Sequence, residues 1–182
     1  MTRDELGRLL VERAYLEGDF VLRSGRRSRY YLDKYRFETE PRLLAGLGRE
    51  LAALVRVHAG DAELLAGPEL GAVPLAAATS IEAALPFVIV RKEAKEYGTA
   101  NRLEGVFDPG QRVCVIEDVV TSGGALLSAV EALRDAGLHV SAAICVVDRE
   151  EGGAGAIAAA GVPFTSLYTA SGLGVGAAPA NA

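Results

Sequence analysis

Two cysteines and two histidines are all that the 182 residues contain of those types. Cys114 and Cys145 each lie inside an apolar run, where a free cysteine packs as a small hydrophobe. No disulfide is expected, and a reducing, cytoplasmic setting fits. His58 and His139 are far from any serine or cysteine in a nucleophile context, which argues against triad hydrolysis and against a zinc site. No apolar run reaches the roughly 18 residues that a membrane helix needs, and the charged start, Arg3-Asp4-Glu5, lacks the apolar stretch of a signal peptide. The chain also lacks a Walker A ending, because Gly124 is followed by Ala125 and Leu126. Gly172, Gly174 and Gly176 superficially resemble a dinucleotide-binding turn, but no helix pattern follows them. Positive charge is short as well: 19 Lys and Arg against 24 Asp and Glu leave a net charge of −5, so wholesale binding to nucleic acid is not expected.

Half of the residues are apolar and 24% are charged, the profile of a chain able to bury one substantial core. A single domain over residues 1–182 is expected, with 171–182, rich in Gly and Ala, as a loose tail. The basic residues are unevenly placed. Arg23, Arg26, Arg27, Arg29, Lys34 and Arg36 crowd one segment, and Arg91, Lys92, Lys95 and Arg102 another. In an acidic chain such clustering is either two solvated loops or a focused positive site for a small polyanion.

Thr2 and Glu5 have capping-box spacing, Leu6, Leu9, Leu10 and Ala14 repeat at helical intervals, and Gly18 is placed to end that helix. Residues 20–37 turn to short β-like runs around Ser24-Gly25-Arg26-Arg27, the pattern of a hairpin or lid. Pro41 suits the first turn of a second helix with Leu43, Leu44, Leu47, Leu51, Leu54 and Val55 on its apolar face. Strands and helices then alternate: strands at 63–66, 87–90, 113–116, 140–147 and 164–168, helices at 74–84 and 124–136, and a short Ala-rich helix before the last strand. Continuous apolar strands are buried on both faces, which predicts an α/β fold with a parallel sheet covered by helices. Residues 91–110 have no periodicity and contain Gly98, Asn101 and Gly105, so they read as a long functional loop.

The most informative stretch is 113–125. An apolar strand runs into two adjacent carboxylates, Glu117 and Asp118, then into the turn Thr121-Ser122-Gly123-Gly124, then into a helix. Ligands of open α/β sheets bind beyond the carboxyl ends of strands. A glycine-rich turn opening a helix exposes N–H groups to a phosphate. The two acids suit ribose hydroxyls, or a Mg2+ carried by the ligand, better than a second phosphate.

Val115-Ile116-Glu117-Asp118-Val119-Val120-Thr121-Ser122-Gly123-Gly124 resembles the signature by which type I phosphoribosyltransferases bind 5-phosphoribosyl-1-pyrophosphate (PRPP). Three further segments resemble the orotate branch: Phe20 to Tyr31 its Phe-x-Leu-Lys-Ser-Gly-x-x-Ser-x-Tyr segment, 91–98 its Arg-Lys-x-x-Lys-x-His-Gly loop, and Asp148-Arg149 the pair that closes its base pocket. Order and spacing agree over about residues 20–150. The resemblance implies that fold with a hood formed by residues 1–37, and transfer of the phosphoribosyl group to orotate in pyrimidine biosynthesis. It implies that Thr121, Ser122, Gly123, Gly124 and Ala125, with Val119 and Val120 beside them, hold the 5′-phosphate, and Glu117 and Asp118 the ribose hydroxyls. Arg23, Arg91, Lys92, Lys95 and Tyr97 would serve PRPP, Lys95 and Asp118 acting in catalysis. Tyr31, Leu32, Thr121 and Arg149 would form the orotate pocket. Mg2+ would be held mainly by PRPP, and a homodimer would pass loop 91–105 to the neighbouring site.

Three departures stand out. The family's Gly-Pro-x-Tyr-Lys-Gly loop reads Gly67-Pro68-Glu69-Leu70-Gly71-Ala72 and has no lysine; the loop histidine is Tyr97, and the lysine before Ser-Gly is Arg23. Transfer to a purine or uracil, or PRPP sensing without catalysis, are the alternative readings.

Overall fold

Thr2 opens the first helix with the expected reciprocal cap. Its hydroxyl accepts from the Glu5 N–H at 3.2 Å and the Glu5 carboxylate accepts from the Thr2 N–H at 2.7 Å. The computed structural model describes residues 1–21, 27–93 and 102–175. Helix α1 (Arg3–Ala14) runs straight into a hairpin of β1 (Tyr15–Val21) and β2 (Arg27–Leu32), followed by the single turn α2 (Tyr35–Glu38) and the long α3 (Pro41–His58). Then come β3 (Leu64–Pro68), α4 (Ala72–Ala83), β4 (Phe87–Val90), β5 (Leu103–Glu104), β6 (Arg112–Val120), α5 (Gly124–Asp135), β7 (His139–Asp148), α6 (Gly153–Ala159) and β8 (Phe164–Thr169).

Gly18 does not end α1. The helix stops at Ala14, and Gly18 falls inside β1, where the pairing with β2 shifts register between Glu17 and Phe20. Strand pairing takes the chain out of the helix before the glycine is reached: Tyr15 pairs with Leu32 and stacks on Tyr30 at 5.7 Å between ring centres. The expected hairpin is present, and its turn lies outside the described residues. In α3, Pro41 occupies the first turn and the Glu40 carboxylate accepts from the Leu43 N–H at 2.7 Å. Leu43, Leu47, Leu51 and Val55 are buried, with Leu44 and Leu54 partly so.

The main sheet has the order β5-β4-β3-β6-β7-β8. β3, β4, β6, β7 and β8 are parallel, while β5 runs antiparallel to β4. The segment read as a loop thus contains an edge strand, two residues long and too short to show a period. Side chains alternate between two cores. Leu65, Cys114, Ile116 and Ile144 pack with α1, α3 and α4; Leu64, Val115, Ala143 and Cys145 pack with α5 and α6. The two cysteines are therefore fully buried on opposite faces of the sheet and free. Residues 171–175 pack against the domain: Leu173 lies on the core, Val175 is buried, and Ser171 donates from its N–H to Glu150 at 2.7 Å. Residues 176–182 lie outside the described residues, among which no helix is long and apolar enough to cross a membrane.

Gly48 sets how closely α3 approaches α4. A Cβ there would stand 2.8 Å from Ala78 Cβ and 3.0 Å from the Ala78 carbonyl oxygen. Gly→Ala inside an exposed helix gains about 1 kcal/mol, but forcing two packed helices apart costs about 1–3 kcal/mol. Gly48→Ala is therefore expected to lower the urea midpoint. A raised midpoint would show that the helices separate freely.

Candidate active site

β6 is the centre of the sheet, and its last four residues carry the chemistry. Glu117 and Asp118 are 6% and 2% exposed, at the strand end where β6 still pairs with β7 through Val120 and Asp148. The chain then turns through Thr121–Gly123 into α5. Gly123 has φ 83°, a left-handed conformation that favours glycine. The turn is supported from α6, where the Gly153 N–H donates to the Thr121 carbonyl at 2.9 Å and a Cβ on Gly153 would overlap that oxygen. The free N–H groups of the first turn of α5 thus face an open cavity of about 790 Å³, a place for an anion.

The cavity is lined by Val119, Val120, Thr121, Ser122, Gly123, Gly124 and Ala125, by Glu117, by Arg91 and Lys92, and by Tyr31 and Arg149. These twelve expected residues are brought together from four separate stretches of chain. Leu32 is not among them: it points into the core and is 5% exposed, because neighbours on a strand face opposite ways. Asp118 does not reach the wall either. Arg23, Lys95 and Tyr97 lie outside the described residues. Glu69, Arg102, Ser128 and Glu151 also line the cavity and were not anticipated as site residues. Arg102 could have been found, since it belongs to the second basic cluster; it donates to Ser128 Oγ at 3.1 Å and to the Arg91 carbonyl at 3.1 Å. Glu69 accepts from the Lys92 N–H at 2.7 Å.

Arg149 follows β7, and its backbone N–H donates to the Val120 carbonyl at 2.9 Å. Its guanidinium lies 4.9 Å above the Tyr30 ring, donates to the Tyr30 hydroxyl at 2.9 Å and meets Glu151 at 3.1 Å. The side chain is 9% exposed, and its Nε is buried without a hydrogen-bond partner. An Arg that lines a cavity and already holds one carboxylate, that of Glu151, is suited to a second, planar one.

On the other side of the acids, Lys34 Nζ lies 2.6 Å from Asp118 Oδ2. The Asp118 N–H donates to Glu117 Oε1 at 3.0 Å, and the Val119 N–H to Asp118 Oδ1 at 2.5 Å. Glu38, on α2, completes the group. Burial, and then the Asp118 charge, push both Glu117 and Glu38 up to about 8. Lys34 is raised: burial pulls it down, but the charge and hydrogen bond of Asp118 outweigh that. No spacing in the sequence pointed to Glu38, an acid in a four-residue helix among charged neighbours.

A cavity with amide donors on one wall and arginine and lysine on another defines a small-molecule-binding α/β protein whose ligand carries phosphate. Comparison with known proteins narrows the class. Residues 38–158 match the phosphoribosyl transferase domain family. The orotate phosphoribosyltransferase of Halobacterium salinarum is 49% identical over 172 residues, 94% of this chain and 96% of that protein. That of Natronomonas pharaonis is 51% identical over 156 residues, 86% of this chain and 87% of that protein. The crystal structure of Mycobacterium tuberculosis orotate phosphoribosyltransferase in complex with PRPP superposes with a TM-score of 0.81 at 34% identity, covering 95% of this chain and 99% of that one. The chain belongs to the phosphoribosyltransferase family, in its orotate phosphoribosyltransferase branch.

The raised acids have a consequence for stability. Folded, Glu38 and Glu117 keep protons that the unfolded chain releases near the ordinary value of 4.5. The folded state therefore binds more protons between the two values, and stability falls as pH rises from about 5 to about 8. Urea midpoints across that range are expected to decline, and less steeply in Glu38→Gln. A flat wild-type series would refute the shared burial of these acids.

Proposed function

We infer that the chain transfers the 5-phosphoribosyl group of PRPP to orotate, giving orotidine 5′-monophosphate and pyrophosphate in pyrimidine biosynthesis. The observation that carries this reading is the position of Arg149: a buried guanidinium with an unpartnered Nε, on the same cavity as the phosphate turn of α5. In this reading the N–H groups and hydroxyls of Thr121–Ala125 hold the 5′-phosphate. Glu117 takes the ribose hydroxyls at the cavity wall with Asp118 directly behind it, and Arg91, Lys92 and the segment containing Lys95 and Tyr97 take the pyrophosphate. Arg149 pairs with the orotate carboxylate, with Tyr31 beside it.

The bond from C1′ to pyrophosphate breaks and a bond from C1′ to a ring nitrogen of orotate forms. Positive charge accumulates on the sugar and negative charge on the leaving group in between. The protein's part is to hold both partners in line, exclude water and neutralise the departing charge. The Mg2+ this reaction uses would be held by the oxygens of PRPP itself, whose charge it offsets.

The hairpin β1–β2 serves as a hood: Tyr30 touches Arg149, and Tyr31 lines the cavity. We place the chain in a homodimer whose loop 91–105 reaches the neighbouring site; Arg91 and Lys92 stand at the cavity where that loop begins. Two buried free thiols on opposite sheet faces fit the reducing cytoplasm.

Base specificity tests the reading directly. Orotate brings a carboxylate that can join Glu151 on the Arg149 guanidinium and uracil brings none, so orotate should be preferred over uracil at least about tenfold. Arg149→Ala should lose most of that preference with PRPP affinity kept. A wild type that turns over hypoxanthine or adenine in preference to orotate would reject the assignment. Loop exchange is tested separately: Lys95→Ala should lower turnover far more than thermal stability, and mixing it with Asp118→Asn subunits should restore activity through hybrid dimers. No recovery after verified subunit exchange would exclude action across the interface.

A further inference from the structure

One buried acid has no part in the chemistry above. Glu38 ends α2, is 2% exposed, and has both carboxyl oxygens buried without a donor. Its polar neighbours are Lys34 and Asp118. A Cβ on Gly71 would stand 2.8 Å from Glu38 Oε1, 2.8 Å from Lys34 Nζ, and overlap Asp118 Oδ2. The three groups therefore converge on one point, and only a glycine at 71 leaves room for them. Two ionised carboxylates are both acceptors and cannot bond each other; a proton between them supplies the missing donor. A buried carboxyl without a donor is far more stable neutral than charged.

We propose that Lys34 and Glu38 are positioning residues for Asp118: the ammonium and a proton carried by Glu38 hold its carboxylate charged and in one orientation just behind the cavity wall, next to Glu117, the acid that meets the ribose hydroxyls of PRPP. This role rests on the reading of the site given above. The charge balance supports it. The charged groups acting on Glu38 are Asp118, Lys34 and Glu117, while α1 and α3, packed on α2, contribute apolar residues such as Leu10 and Leu43 to the adjoining core. With Glu38 and Glu117 protonated, Lys34 and Asp118 neutralise each other. Burial and the Asp118 charge set the loss of the Glu38 proton at about 8. Glu117, on the cavity wall, loses its proton near the same value, so above it both acids add negative charge at the site of a polyanion, and PRPP is repelled.

PRPP affinity should therefore fall about tenfold between about pH 6.5 and about pH 9.5, measured by calorimetry with Mg2+ present. Glu38→Gln keeps an N–H donor for Asp118 and leaves Glu117 alone of the two acids to lose its proton, so its affinity should fall less steeply over that range. Lys34→Met should weaken PRPP binding at every pH with the orotate KM little changed, and Lys34→Arg should recover part of the loss. A readout that needs no ligand accompanies these: the infrared carbonyl band of a protonated carboxyl, present in the free wild type, lost at alkaline pH and diminished in Glu38→Gln. Superimposable pH profiles for wild type and Glu38→Gln, or no Glu38-dependent band, would overturn the proposal. Normal PRPP binding indifferent to Lys34→Met and Glu38→Gln would overturn the positioning role alone. A wild type that binds no PRPP at any pH would overturn the reading of the site and this role with it.

Discussion

The contact between Lys34 and Asp118 is the constraint around which the rest of the site is arranged. Two acids at the end of a strand covered on both faces have little water to solvate them, and burying charge without a partner is costly. Nζ of Lys34, at 2.6 Å, supplies that partner from the segment between the hairpin and α2. The position of that segment is in turn limited by Gly71, since any side chain there would occupy the same space. A turn before α4, a lysine before α2 and the end of the central strand are thus mutually dependent.

Opposite this ion pair, Arg149 ties the hairpin to the sheet a second time. Tyr30 stacks on Tyr15 along the hairpin and on the Arg149 guanidinium across to the β7 end. The hairpin belongs to a separate two-stranded sheet, so these contacts, together with α1 packing on the core through Leu6 and Leu10, hold it over the cavity. Recognition of the sugar and of the base would then be linked through one stretch of chain, because Tyr30, which holds Arg149, lies near the end of β2 and Lys34 just past it. Glu151, which meets Arg149 at 3.1 Å, occupies the guanidinium with a carboxylate of the chain's own, the same chemistry a carboxylated base presents.

Much of this was legible from local patterns. The capping box at Thr2, Pro41 at the start of α3 and the leucine stripe behind it, the continuous apolar strands, and the Glu117–Gly124 turn each depend on residues within a few positions of one another. Local propensity and side-chain period decide such features, and tertiary packing agreed with them. The extension of β6 through Val120 was not visible, since consecutive acids do not read as strand; pairing with β7 imposes it. Gly18 misled because a glycine after a helical stripe signals a C-cap, whereas here Tyr15 had already entered a strand. Leu32 followed Tyr31 in the pattern but faces the other side of β2.

By itself the sequence determined the alternation of strands and helices, the phosphate turn, and the residues that place the chain in its family, because these are encoded in contiguous stretches with their own periodicity and turn chemistry. Tertiary structure alone decided that Asp118 looks toward Lys34 rather than into the cavity, that Glu38 is buried beside it, and that Tyr30 rather than Leu32 supports Arg149. Those pairings join residues separated by 84 and 119 positions. No local rule relates such positions, and only the closing of the hairpin and α2 against the ends of β6 and β7 brings their charges and rings within reach.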